Sequence, residues 1–116
     1  MMIVAMFDVL DGEYIEEFND WYSRKHVLDF LKAPGLISGR RFYWKRKNGY
    51  IRFLALYEHN GKCSLQETLE SNEARAAVQD FEEQWQGKVG PPDFRVYKEI
   101  GVGENYSGWP PPWDKG

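Results

Sequence analysis

Two strand-like runs, Leu36–Lys45 and Tyr50–His59, are joined through Lys47-Asn48-Gly49. Asn-Gly between such runs is the strongest short-range hairpin signal, because a tight turn that matches strand twist needs residues tolerant of positive φ. The hairpin sits mid-chain, and a strand and a helix flank it on each side. Met2–Leu10 is an apolar run closed by the turn dipeptide Asp11-Gly12, and Glu13–Ala33 has helical character until Pro34-Gly35 stops it. Ser64–Gln86 is helical in two pieces, with Ser71 capping the second, and Phe94–Ile100 reads as the last strand. The order β-α-β-β-α-β predicts an α+β fold: a ferredoxin-like protomer with a four-stranded antiparallel sheet and both helices on one face.

That arrangement leaves the second sheet face bare, yet the strands are apolar or aromatic on both parities. Phe42 and Trp44 alternate with Tyr43, and Leu54 and Leu56 alternate with Phe53, Ala55 and Tyr57. A sheet apolar on both faces needs two covers, so a second copy packed sheet to sheet is expected. Aromatic residues make up 16% of the chain, more than a core of this size needs, which reserves some rings for a pocket or an interface.

The first helix carries an inconsistency. Tyr14, Phe18, Trp21 and Tyr22 share one side, but Val27, Phe30 and Leu31 fall opposite Phe18 on a regular helical wheel. A kink, a break or a second contact surface is expected after about His26.

Other features narrow the class. At 116 residues the chain holds one domain, taken as 1–100, followed by a Gly/Pro/Trp-rich arm at 101–116. Trp109 and Trp113 are expected to pin that arm over a partner subunit or the pocket mouth. A formal charge of -3 offers no cationic face for nucleic acid. Cys63 is the sole cysteine, so no internal disulfide or multi-cysteine metal site can form. Met1–Leu10 is too short for a membrane span and lacks a basic leader, so the expectation is a cytoplasmic protein with no membrane partner. Two histidines and one cysteine, widely spread, give no metal-ligand spacing. Gly101-x-Gly103 has no helix behind it, so the dinucleotide fingerprint fails.

Phe18-Asn19-x-Trp21-Tyr22-x-x-x-His26, then Ala33-Pro34-Gly35, Arg40-Arg41-Phe42 and Tyr50-Ile51-x-Phe53-Leu54-Ala55-Leu56-Tyr57-Glu58, resemble the EthD-like branch of the dimeric α/β-barrel proteins. The resemblance spans roughly residues 1–100. It implies a ferredoxin-like homodimer with a pocket between the helices and the concave face of the sheet in each subunit. It also implies a choice among chemistries, since the superfamily includes cofactor-independent monooxygenases, polyketide cyclases, muconolactone-type isomerases and haem-binding enzymes. A fold hosting that many reactions does not name one.

His26 is the leading catalytic candidate, one turn from Tyr22 on the same helix face. An imidazole there can move a proton near neutral pH while a phenol steadies a developing oxyanion. Its other reading is a brace for the helix end; the resemblance, in which the matching histidine and aromatics face the cavity, favours function. Asp8, a carboxylate within an apolar strand, is a further acid/base candidate if unpaired, and Asp29 could orient the imidazole. Trp21, Phe18, Trp44, Tyr57, Phe81 and Trp85 are expected as aromatic walls for a substrate, although each alone could be core. Arg40 and Arg41 point to opposite faces, so one can reach the pocket or the dimer seam; Arg40 is taken as the substrate-binding candidate, against a reading in which both belong to an exposed basic hairpin tip. His59, at a strand end, is expected to face solvent.

The expected protein is a small homodimeric enzyme with an apolar, aromatic-lined pocket for a small carbonyl-containing or aromatic molecule. It would need no cofactor and catalyse a lyase, isomerase or cyclase step through proton transfer. Two alternatives stand beside it: a cofactor-free or haem-associated monooxygenase, with His26 as the haem ligand, and a non-catalytic ligand-binding or stress-response dimer.

Overall fold

A computed structural model describes residues 1–9, 11–47 and 49–104. Four strands, β1 (Met2–Val9), β2 (Leu36–Lys45), β3 (Ile51–His59) and β4 (Asp93–Tyr97), form one antiparallel sheet in the order β2-β3-β1-β4. Helices α1 (Ile15–Trp21), α2 (Val27–Phe30), α3 (Leu65–Glu70) and α4 (Asn72–Trp85) complete the fold. The βαββαβ order and the ferredoxin-like arrangement read from the sequence are what the structure shows. Leu10 and Asn48 of the expected first strand and hairpin turn, and Trp109 and Trp113 of the expected arm, lie outside the described residues. The last strand is shorter than expected and begins one residue earlier.

Register divides the sheet into two unlike faces. Ile3, Ala5, Phe7 and Val9 of β1 and Phe53, Ala55, Tyr57 and His59 of β3 are buried toward the helices. On the other face Leu54 and Leu56 are half-buried, while Phe42, Trp44 and Tyr97 are 47%, 63% and 49% exposed. The helices therefore cover one face only.

Local chemistry explains the helices. Ser64 and Glu67 make a capping box at the start of α3. Ser71 then serves both helices at their corner: its hydroxyl donates to the Thr68 carbonyl at 2.7 Å and accepts from the Ala74 amide at 3.1 Å. Helix α4 buries Ala74, Ala77, Phe81 and Trp85 along one stripe, as its period requires.

The expected single helix over Glu13–Ala33 is interrupted. A 3₁₀ turn, Gly12–Tyr14, leads into α1, and a π-helical segment, Tyr22–His26, separates α1 from α2. The interruption contains His26 rather than following it. Its effect is geometric: in a regular α-helix, residues four apart drift by about 40° per step. A turn closed by an i→i+5 bond, here Val27 N–H to the Tyr22 carbonyl, is wider and takes that drift back. Phe18, Tyr22, His26 and Phe30, each four residues from the last, all stay buried against the sheet and α4. The stripe that failed on the regular wheel is continuous on the real helix.

Candidate active site

Between α4, the π-helical segment and the helix-side face of the sheet lies a cavity of about 750 Å³. Its interior wall includes Phe7, Tyr22, His26, Tyr57, Phe81 and Trp85. Exposed Val78, Gln86 and Phe94 line it as well. The wall is largely apolar, and its buried polar groups are one imidazole, two phenols and the Trp85 indole N–H, which has no hydrogen-bond partner among the described residues.

The phenols face each other from different elements. Tyr22 comes from the π-helical segment and Tyr57 from β3, with their hydroxyls 3.4 Å apart and both rings buried. Gly39 of β2, opposite Tyr57 in the ladder, makes this placement possible: a Cβ there would stand 3.1 Å from the Tyr57 ring. Burial holds the Tyr22 phenol well above its usual range and pushes Tyr57 up to about 12. Two hydroxyl protons serve the pair and one can be used between them, so the other has no acceptor among the described residues.

His26 is 6% exposed and lies in a shell of rings. Trp21 and Phe30 stack roughly parallel to it at 5.4 and 6.2 Å between centroids, and Tyr22 and Phe81 pack at 4.6 and 5.4 Å. Its Nδ1 is buried with no hydrogen-bond partner. Desolvation lowers its pKa from 6.5 to about 4, against a smaller upward pull from Asp29 and Asp80, so the ring is neutral at physiological pH. Asp29 does not orient it. That carboxylate is held by Lys25 at 2.8 Å and Lys32 at 3.5 Å on the helix exterior.

Of the residues singled out in the sequence, His26, Tyr22, Tyr57, Phe81 and Trp85 meet at this cavity. Trp21 and Phe18 stand behind it, Trp21 as the stacking partner of His26 and Phe18 as fully buried core. Three do not come near. Asp8 lies on the opposite sheet face, where Arg52 grips it with two bonds of 2.9 and 3.0 Å and Arg46 adds a third at 3.1 Å. The Arg52 hydrogen bonds hold its carboxyl below the ordinary range, the reverse of the raised value an unpaired buried acid would show. Arg40 and Trp44 share that far face by register, pairing with Leu56 and Arg52, and both are exposed. His59 is also corrected, being 3% exposed rather than solvent-facing. Its Nδ1 accepts from the Gly61 amide at 3.0 Å and its Nε2 meets Thr68 Oγ1 at 2.7 Å, so both ring nitrogens serve the corner of the fold.

Arg41, and not the expected Arg40, is the arginine that approaches the site. It lies on the helix side, with its guanidinium carbon 4.8 Å from the Tyr22 ring centroid and 5.1 Å from that of Phe53. Alternation separates the two arginines, but only the pairing of Gly39 with Tyr57 says which face each one takes.

Among the described residues no group of three or more metal-ligating side chains gathers, and no helix is long and apolar enough to cross a membrane. No Lys or Arg lines the cavity, so a haem bound there would find no cationic partner for its two carboxylates on the wall.

Comparison with known proteins agrees at the level of fold. An ethyl tert-butyl ether D (EthD) family protein from Bacillus halodurans C-125 superposes with a TM-score of 0.61 at 17% identity, covering 84% of this chain and 100% of its own. A candidate antibiotic biosynthesis monooxygenase from Nitrosomonas europaea gives 0.57 at 13% identity, over 86% of this chain and 99% of its own. SnoaB, a cofactor-independent oxygenase from Streptomyces nogalater, gives 0.52 at 12% identity, over 84% and 92%. No protein-family model matches the sequence, and no curated protein matches it. The chain has the ferredoxin-like fold of these proteins.

Proposed function

We propose that the cavity binds a small, mostly apolar carbonyl or aromatic compound and that His26 removes a proton from it without a cofactor. The observation that carries this is the meeting of a neutral, ring-packed imidazole and a tyrosine pair with a spare proton on one apolar wall. A ligand oxygen near the tyrosines would accept their free O–H, and removal of an adjacent C–H or O–H proton by His26 would leave an enolate or phenolate there. The imidazolium formed is costly in isolation, but beside that anion it becomes half of an ion pair in a dry site. Phe81 and Trp85 hold the carbon skeleton and exclude water.

Release of the proton to another carbon gives an isomerase outcome, and expulsion of a leaving group a lyase outcome. A second reading shares the first step and is favoured by the fold shared with a cofactor-independent oxygenase. There the carbanion reduces dioxygen, so that a substrate CH₂ and O₂ become C=O and water, with all four electrons supplied by the substrate. We also take the protein to be a homodimer closed over the bare sheet face, a reading that the exposed rings there support.

The test is proton exchange. 2-Tetralone has an acidic CH₂ beside its carbonyl, and its deuteration in D₂O can be followed by proton NMR. The wild-type protein should accelerate exchange, and His26→Ala and His26→Gln should each lower the acceleration by about 100-fold or more. Equal exchange with wild type and His26→Gln would overturn the reading, and oxygen uptake during the reaction would select its second form.

A further inference from the structure

We propose that Arg41 is the positioning residue of this site: from behind the cavity wall it clamps the π-helical segment and holds the Tyr22 ring, keeping the Tyr22 hydroxyl set against Tyr57. The inference deepens the reading of the cavity as the functional site and rests on it.

The contacts come from an element distant in sequence. One guanidinium nitrogen of Arg41, Nη1, shares its two N–H groups among the Asn19 carbonyl at 2.9 Å, Asn19 Oδ1 at 2.7 Å and the Ser23 hydroxyl. Asn19 lies in α1 and Ser23 in the π-helical segment, so this single group bridges the junction where the helix changes its winding. A π-helical turn is a rare and poorly self-supporting conformation, and an outside donor at its entry stabilises it against return to regular winding. The same guanidinium lies over the rings of both Tyr22 and Phe53, and since Arg41 does not line the cavity it holds Tyr22 from behind the wall. Strand β2 thus shapes both phenols from one face. Gly39 makes room for Tyr57, and two residues on, Arg41 holds Tyr22.

The charge matters as well as the fork. Among the described residues Arg41 bonds only neutral groups and no carboxylate pairs with it, while its Nη2 is buried without a hydrogen-bond partner. A brace alone would not need an uncompensated, half-buried cation. Placed where it is, the cation opposes the desolvation that keeps Tyr22 and Tyr57 neutral and favours negative charge at their end of the cavity. The ligand class this suits has an oxygen that becomes anionic during reaction, an enolate or a phenolate, rather than one that becomes cationic.

Both roles can be read on the free protein. 3,5-Difluorotyrosine placed at position 22 ionises in an accessible pH range, and its absorbance follows that one phenol. Arg41→Met should lower its ionisation constant at least tenfold and speed amide hydrogen exchange over residues 22–27 at least tenfold, leaving α4 unchanged. Arg41→Lys, which keeps the charge and loses the fork, should hold the ionisation constant within about threefold yet still expose residues 22–27. Unchanged values in Arg41→Met would overturn the proposal, and so would faster exchange spread evenly over α4 and the sheet, which would make Arg41 a general core contact. Because neither readout uses a substrate, they can fail while 2-tetralone exchange persists, or hold where it is absent.

Discussion

A histidine that a protein keeps neutral by burial shows itself in stability as well as in catalysis. His26 titrates at its ordinary value in the unfolded chain but near 4 in the native one, so between those limits the unfolded state binds the extra proton. Stability tied to this residue is fully present above about pH 6.5 and is lost as pH falls toward 4. The gap corresponds to about 3 kcal/mol, an upper figure for a ring that reaches the cavity. Urea unfolding at pH 7 and pH 4.5 should therefore show a smaller acid-side loss for His26→Gln than for wild type, with the carboxylate contributions cancelling in the comparison. Equal losses would mean that the imidazole is charged, or solvated, in the native state. The same lowered value predicts that proton exchange catalysed by His26 stays level down to about pH 5, where an unperturbed histidine base would already be mostly protonated. At this scale the sequence says which side chains share the cavity wall more readily than which face a strand residue takes. One-turn spacing puts Tyr22 and His26 on that wall together. Asp8 was misplaced although its own alternation with Phe7 and Val9 puts it on the opposite face from those core residues. Arg41 was harder, because a register irregularity between Leu36 and Ser38 breaks the count of faces from the start of β2.

The elements whose local chemistry agrees with their tertiary role were readable, and the one that bends its own rule was not. Ser71 announces α4, and the period of Ala74, Ala77, Phe81 and Trp85 gives its buried face directly. The first helix breaks this agreement, since its apolar stripe is out of phase with regular winding. The sequence displays that conflict without showing its resolution: a kink, two contact surfaces and an added residue in one turn all leave the same trace. The π-helical segment resolves it by moving Phe30 back over Tyr57, where the rings meet at 4.8 Å, while presenting His26 to the cavity. Removing the added residue tests the resolution. Deletion of Arg24, whose side chain is 81% exposed and pairs with Asp20, should let the segment relax to α-helical winding. His26 would then stand three residues from Tyr22 and four from Trp21, so Phe18, Tyr22, His26 and Phe30 stay on one stripe in regular winding. Circular dichroism should show an unchanged helical content, and the variant should keep most of its 2-tetralone exchange. Loss of exchange to the level of His26→Gln would show that the site needs the wider turn itself and not only the stripe it keeps in phase.

The whole molecule poses the question of what covers the far face of the sheet. Its centre is built from Leu54, Leu56 and Met6, all half-buried, flanked by the exposed rings of Phe42, Trp44 and Tyr97. Charged groups border them: Arg52 and Arg46 engaged by Asp8, and Arg95 paired with Asp93 at 3.1 Å. An apolar centre with a self-compensated polar border is the composition of an interface rather than of a solvated surface. The charges of this face also argue for a partner of like surface, because Arg40, Arg46, Arg52 and Arg95 stand against Asp8, Glu58 and Asp93 and leave little net charge to attract an oppositely charged one. A second copy meets that requirement with the same patch on both sides, the isologous arrangement of a two-fold dimer. Asp8 finds its place at this scale: its grip on Arg46 and Arg52 settles the edge of the patch instead of serving the cavity. Light scattering at micromolar concentration should report twice the chain mass. Leu56→Lys would put a charge at the patch centre and should give monomers, whereas Lys45→Glu, at an exposed position on the opposite face, should leave the dimer intact. The cavity lies wholly on the helix side, so the Leu56→Lys monomer should keep its tyrosine pair and its neutral His26. A wild-type protein that remains monomeric at these concentrations would leave the exposed rings for a different partner and end the dimer reading.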